Sequence, residues 1–130
     1  MEVVYRRCCG LDVHKESITA CVLVLGEDGQ RDVRRKQFGT YWKELLRLKM
    51  WLCSCKVERV AMESTGVYWK PVWNVLSSKF PLLLANPYHM KNIPGRKTDQ
   101  NDSEWIADLM AHGLLRASLY RRARSRNCGT

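Results

Sequence analysis

The chain has 130 residues, with 22 Lys and Arg against 13 Asp and Glu, for a formal net charge of +9 and a pI near 9.5. That length suits one domain and leaves little room for a second, and the 45% apolar fraction is that of a globular fold. No apolar stretch is long enough to cross a bilayer and residues 1–7 lack the apolar core of a signal peptide, so a cytosolic protein with no membrane partner is expected.

Val3 to Val13 reads as a strand ending in Gly10-Leu11-Asp12-Val13-His14. Ser17 to Leu25 is a second strand, rich in branched residues. Gly26-Glu27-Asp28-Gly29 is a hairpin turn signal, and Arg31 to Phe38 makes a third strand polar enough for an edge. Thr40 is expected to cap a helix running to about Cys53, with an apolar face of Trp42, Leu45, Leu46, Leu48 and Leu52. Val57 to Met62 is a short fourth strand. A second helix follows from about Val67 to Ser78, with Pro71 in its first turn, where a missing N–H does little harm. Pro81 to Ala85 is a fifth, buried strand. Residues 86–98 form a polar connection, and a final helix runs from near Asp102 to about Leu115. Three strands joined by hairpins, then helix, strand, helix, strand and helix, predict a mixed α/β sheet.

Basic residues gather at Arg31–Lys49, Lys91–Lys97 and Arg116–Arg126. Such a balance suits a polyanion, because each neutralised phosphate releases condensed counterions; a solvated basic surface is the plainer alternative. The six cysteines, Cys8, Cys9, Cys21, Cys53, Cys55 and Cys128, form no C-x-x-C pair and match no zinc spacing. They read as reduced structural thiols.

Four acids stand out by position. Asp12 follows the apolar end of the first strand, Glu63 ends the fourth after Val60-Ala61-Met62, and Asp99 and Asp102 lie three apart at the entry to the last helix. If the first and fourth strands are parallel neighbours, Asp12 and Glu63 emerge side by side at the carboxyl ends, where α/β sheets place their sites. Converging carboxylates repel one another and titrate upward; a bound cation removes that penalty, and hard oxygen ligands suit magnesium or manganese. Two such ions can clamp the attacking and leaving oxygens of a phosphodiester. Taken singly, each acid has a plainer explanation: Asp102 as a helix N-cap, Asp12 as a turn residue, Glu63 as a cap of the following helix. Glu104, Asp108 and Asp28 read as ordinary exposed acids.

The segments around these acids resemble a known family. Gly10-Leu11-Asp12-Val13-His14-Lys15 resembles the first motif of the DEDD transposases of bacterial insertion sequences, RuvC-like recombinases that use a structured bridge RNA. Met62-Glu63-Ser64-Thr65-Gly66-Val67-Tyr68-Trp69 resembles the second. Asn86-Pro87, followed by Gly95-Arg96-Lys97-Thr98-Asp99-Gln100-Asn101-Asp102-Ser103, resembles the third. The motifs stand in order, and the resemblance covers about residues 1–119. It implies a RuvC or RNase-H-like sheet and a bacterial, cytoplasmic protein. It also implies Mg2+ or Mn2+ held by Asp12, Glu63, Asp99 and Asp102 as the catalytic acids. DNA and a structured guide RNA are the implied partners, with oligomerisation in the full-length family. Arg96 and Lys97, beside Asp99, are the candidates for phosphate contact. Tyr68, Trp69 and Trp73 are possible stacking residues, although helical spacing also suits Tyr68 and Trp73 to the core. His14 and His89 are left outside the metal site.

Family members carry a carboxyl-terminal domain with a serine nucleophile, for which 130 residues leave no room. Ser64 and Ser103 lie inside the metal-site motifs and are not read as nucleophiles. The expectation is therefore an amino-terminal metal-binding domain without a nucleophile. A free-standing small nuclease like a junction resolvase and a non-catalytic nucleic-acid-binding fragment are the alternatives. Residues 120–130 carry no apolar period and are expected to be a disordered, basic, non-family tail. Back-translated with suitable synonymous codons and read two bases later, they give a proline-bearing continuation, so a shift of reading frame near Leu119 is expected.

Overall fold

The computed structural model of the chain describes residues 3–64, 66–85, 93–96 and 100–115, and the backbone of 117–121. Its elements are β1 (Arg7–Val13), β2 (Ser17–Leu25), β3 (Arg31–Gly39), α1 (Trp42–Ser54), β4 (Arg59–Ser64), α2 (Trp69–Leu76), β5 (Leu82–Ala85), α3 (Asp102–Ala111) and β6 (Ala117–Arg121). The strands form one sheet in the order β3-β2-β1-β4-β5-β6. β1, β2 and β3 pair antiparallel, β1–β4 and β4–β5 pair parallel, and β5–β6 is antiparallel. This is the mixed α/β sheet expected, with one strand more.

Strand alternation divides the side chains cleanly between two layers. Cys9, Leu11 and Val13 of β1, Val60 and Met62 of β4, and Leu82 of β5 join Leu45, Leu48 and Leu52 of α1 and Val72, Val75 and Leu76 of α2 in one core. Cys8 of β1, Ala61 of β4 and Ala85 of β5 face the other way, toward Trp105, Ile106, Leu109 and Met110 of α3. By the same alternation Gly10, Asp12 and Glu63 belong to the α3 face.

Several local expectations change. Trp42 and Leu46 are 65% and 36% exposed, because α1 turns only the Leu45–Leu48–Leu52 stripe inward. Thr40 does not cap α1: the N-cap is Tyr41, without a side-chain bond, and the Thr40 hydroxyl instead donates to the Lys15 carbonyl. β4 starts and ends two residues later than the apolar run suggested. Val57 is used to close α1, its N–H donating to Leu52 O while Lys56, at φ 57°, donates to Cys53 O. β4 therefore runs one residue past Glu63, to Ser64. The last helix ends at Ala111, not Leu115: Gly113 takes φ 69°, and the N–H groups of Gly113 and Leu114 close onto Met110 O and Leu109 O. The chain then returns as β6, which pairs with β5. Tyr120 and Arg121 of the expected tail are part of that strand; residues 122–130 lie outside the described residues. Among the described residues no helix is long and apolar enough to cross a membrane.

Candidate metal centre

Parallel pairing puts Asp12 directly beside Glu63 in the register of β1 and β4, about 4.8 Å apart along the sheet. The third acid comes from α3. That helix lies almost in contact with the β1 backbone at Gly10, where a Cβ would stand 2.2 Å from Ser103 O and 2.7 Å from Ala107 N. Only glycine permits this approach. Cys8 adds to it by donating its thiol hydrogen to Ala107 O at 3.3 Å. Asp102, the first residue of α3, consequently reaches the end of β1. One carboxylate oxygen from each of Asp12, Glu63 and Asp102 lies within 4.8 Å of the others, and all three residues are half-buried. A donor set of three carboxylates at that separation fits a hard divalent cation.

Asp102 is not the helix cap. Asn101 is, its Oδ1 accepting from the Glu104 N–H at 2.9 Å and from the Ser103 hydroxyl at 2.9 Å. This leaves the Asp102 carboxylate available to the site. Asp12 is paired with His14 Nε2 at 3.1 Å. Arg96 donates to Asp102 Oδ1 at 2.7 Å and to Gln100 O at 2.8 Å, so its guanidinium is shared between the site and the segment entering α3. Asp99, Lys97 and His89 lie outside the described residues. Of the aromatic candidates, Trp73 is buried in the α1–α2 core, Trp69 is packed edge-on against it with ring centroids 5.6 Å apart, and Tyr68 is 38% exposed.

Sequence reading also missed the residues that hold α3 in place. Glu104, expected on the surface, is buried at 9% exposure. Its carboxylate accepts from Arg31 Nη2 at 2.9 Å and from Arg35, both on β3. Burial pushes the Glu104 carboxyl up, but the bonds from Arg35 and Arg31 outweigh it and hold the group below its ordinary value. Asp108 accepts from Arg31 Nη2 at 3.0 Å and from the Gln100 amide, and the Gln100 side chain is itself buried. A signal existed: Arg31 and Arg35 share a strand face, and Glu104 and Asp108 share a helix side. Asp28 is exposed, as expected. Among the thiols, burial pushes Cys8 up to about 12 and Cys21 up to about 11, which keeps both protonated and unreactive.

A mixed six-stranded sheet in the order β3-β2-β1-β4-β5-β6, with α1 and α2 on one face and α3 on the other, is a RuvC-like fold. The family model of the IS110-type DEDD transposases, described as a transposase, matches residues 9–125, and the chain belongs to that family. The match runs to residue 125, past Leu119. Among solved structures, Thermus thermophilus RuvC in complex with Holliday junction substrate aligns with a TM-score of 0.59 at 12% identity, over 85% of this chain and 99% of that one. A second Thermus thermophilus RuvC structure aligns with a TM-score of 0.58 at 14% identity over the same shares. At such identities the likeness establishes the fold. No protein of curated function matches the chain in sequence.

Proposed function

We propose that this chain is the divalent-cation-dependent, DNA-processing domain of a transposase, with Asp12, Glu63 and Asp102 as ligands and Asp99 as a fourth. The observation that carries the reading is the convergence of three carboxylates, from β1, β4 and α3, within 4.8 Å in a member of the DEDD transposase family. Mg2+ or Mn2+ fits this oxygen-only donor set, and such an ion supplies charge stabilisation at a phosphodiester. The chain's own residues do the rest. β1 and β4 fix two carboxylates in register, α3 brings the third, and Arg96 with Lys97 supplies positive charge for the backbone of the DNA strand. A structured guide RNA and an oligomeric full-length enzyme belong to the same proposal. No serine of the metal-site motifs is assigned as nucleophile.

A second reading, a nuclease acting on branched DNA without a partner domain, is favoured by the coverage of 99% of a RuvC chain bound to a Holliday junction. The test is thermal melting with Mg2+ or with chelator, followed by incubation with a four-way DNA junction. Binding to the native state alone stabilises by about 2.7 kcal/mol at a hundredfold excess over Kd. Mg2+ is expected to raise the melting temperature by several degrees, Asp12→Asn to abolish most of that rise, and junction binding to weaken steeply with salt. Identical melting with Mg2+ and chelator contradicts the cation site. Cation-dependent junction cutting selects the second reading; a Mg2+-dependent rise in melting temperature with junction binding but no cutting or covalent adduct supports the first, and binding without turnover or cation response marks a non-catalytic nucleic-acid-binding fragment.

A further inference from the structure

The carboxylates are held by very different means. Asp12 and Glu63 are fixed by the ladder of two adjacent strands. Asp102 sits at the end of a helix joined to the sheet by segments on either side, and no strand register fixes it. What spans the gap is a polar network. Arg31 forks between Glu104 and Asp108, and Arg35 holds Glu104 from a second point on β3. Asp108 takes the amide of buried Gln100, Gln100 O takes Arg96, and Arg96 reaches Asp102. The network thus runs from the edge strand β3 to a ligand carboxylate, past the N-cap Asn101. Charge-assisted and forked bonds of this kind fix orientation as well as distance.

We infer that Arg31 and Arg35 of β3, acting through Glu104, Asp108 and Gln100, are positioning residues that set Asp102 against Asp12 and Glu63. This rests on the reading of those carboxylates as a cation site. Arg31 and Arg35 bond to Glu104 and Asp108 of α3, so their substitution acts on the site through that helix. Partners that orient metal ligands from outside the ligand set are commonly worth 10–100-fold in affinity.

The test titrates the whole chain with Mn2+ alone and measures affinity by calorimetry. Arg31→Ala removes the fork; Arg31→Lys keeps the charge but not the planar fork and is the variant expected to fold if Arg31→Ala does not. Leu52→Val, in the core on the opposite face, is a control that costs stability without touching α3. The Arg31 variants are expected to weaken Mn2+ binding at least about tenfold, and Leu52→Val less than about twofold. Wild-type affinity in Arg31→Lys, or an equal loss in Leu52→Val, overturns the inference. Should the wild-type chain bind no Mn2+, the cation reading falls, and hydrogen exchange in the absence of metal decides the inference by itself. Protection of the Glu104, Trp105 and Ile106 amides in the first turn of α3 is then expected to fall about tenfold in Arg31→Lys, with the Leu48 and Leu52 amides of α1 unchanged. A uniform change, or none, overturns it.

Discussion

The two faces of the sheet are built on different physics. On one face α1 and α2 cover a core of large aliphatic side chains, with Leu11, Ile18, Leu48, Leu52, Met62, Leu76 and Leu82 fully buried. On the other, α3 rests on small residues, Gly10, Ala61 and Ala85, and turns its own Ala107 and Ala111 inward. Among the described residues the buried charge lies on this second face, in Glu104, held by two exposed arginines of β3. The large-residue face gains most of the hydrophobic stabilisation, which is roughly proportional to apolar area. The small-residue face trades area for close approach and directional bonds. Stability and site geometry are thereby placed on opposite sides of one sheet.

That division is broken most forcefully by deleting volume from the aliphatic face. Leu48→Ala is expected to cost about 3–4 kcal/mol and to leave cation affinity within about twofold of wild type, since nothing on α3 is displaced. Denaturant unfolding and cation titration of the same variant check both halves. Gly10→Ala should do the reverse: a smaller loss of about 2 kcal/mol from overpacking, with a loss of cation affinity larger than that of Leu48→Ala, because the new Cβ meets α3 backbone that cannot swing aside. Parallel losses of affinity in the two variants would erase the distinction between the faces.

Acid sharpens the comparison. The Glu104 carboxyl is held below its ordinary 4.5, so its contribution to stability is present above that value and is lost as pH falls through the lower, folded one. The melting temperature of wild type should exceed that of Glu104→Gln near neutrality, and the gap should close as pH falls below 4.5 and through the lower folded value. A gap independent of pH would mean that the Glu104 charge is not part of the clamp. The smallest expected effect is at Arg96. Its pair with Asp102 is solvent-facing, with side-chain exposures of 41% and 48%, and such pairs contribute at most about 1 kcal/mol. Arg96→Ala is expected to lower cation affinity by no more than about fivefold and to weaken DNA binding, as read by titration with Mg2+ and with a labelled oligonucleotide.

Much of the fold is local and was legible for that reason. The turn at residues 26–29 specifies the β2–β3 hairpin, branched residues mark β2, and the apolar runs at residues 60–62 and 82–85 mark the two parallel strands. Asp12, Glu63 and Asp102 could be placed because each stands at an element end that the pattern itself defines. What stayed hidden depends on contacts remote in sequence. Glu104 and Asp108 look like surface acids until β3, some 70 residues earlier, supplies the arginines that bury them. Gly10 reads as an ordinary strand glycine until α3 arrives above it. Trp42 falls on the apolar stripe of α1 in projection, yet the helix rolls to bury Leu45, Leu48 and Leu52. β6 escaped notice because its sequence, Ala-Ser-Leu-Tyr-Arg, carries too little periodicity to stand apart from the arginines that follow it.

The most direct test of the central claim is anomalous diffraction from crystals of the chain grown or soaked with Mn2+. An anomalous peak is expected within coordinating distance of carboxylate oxygens of Asp12, Glu63 and Asp102, absent in Asp12→Asn. A well-ordered site without a peak at saturating Mn2+, or a peak elsewhere that survives Asp12→Asn, would contradict it.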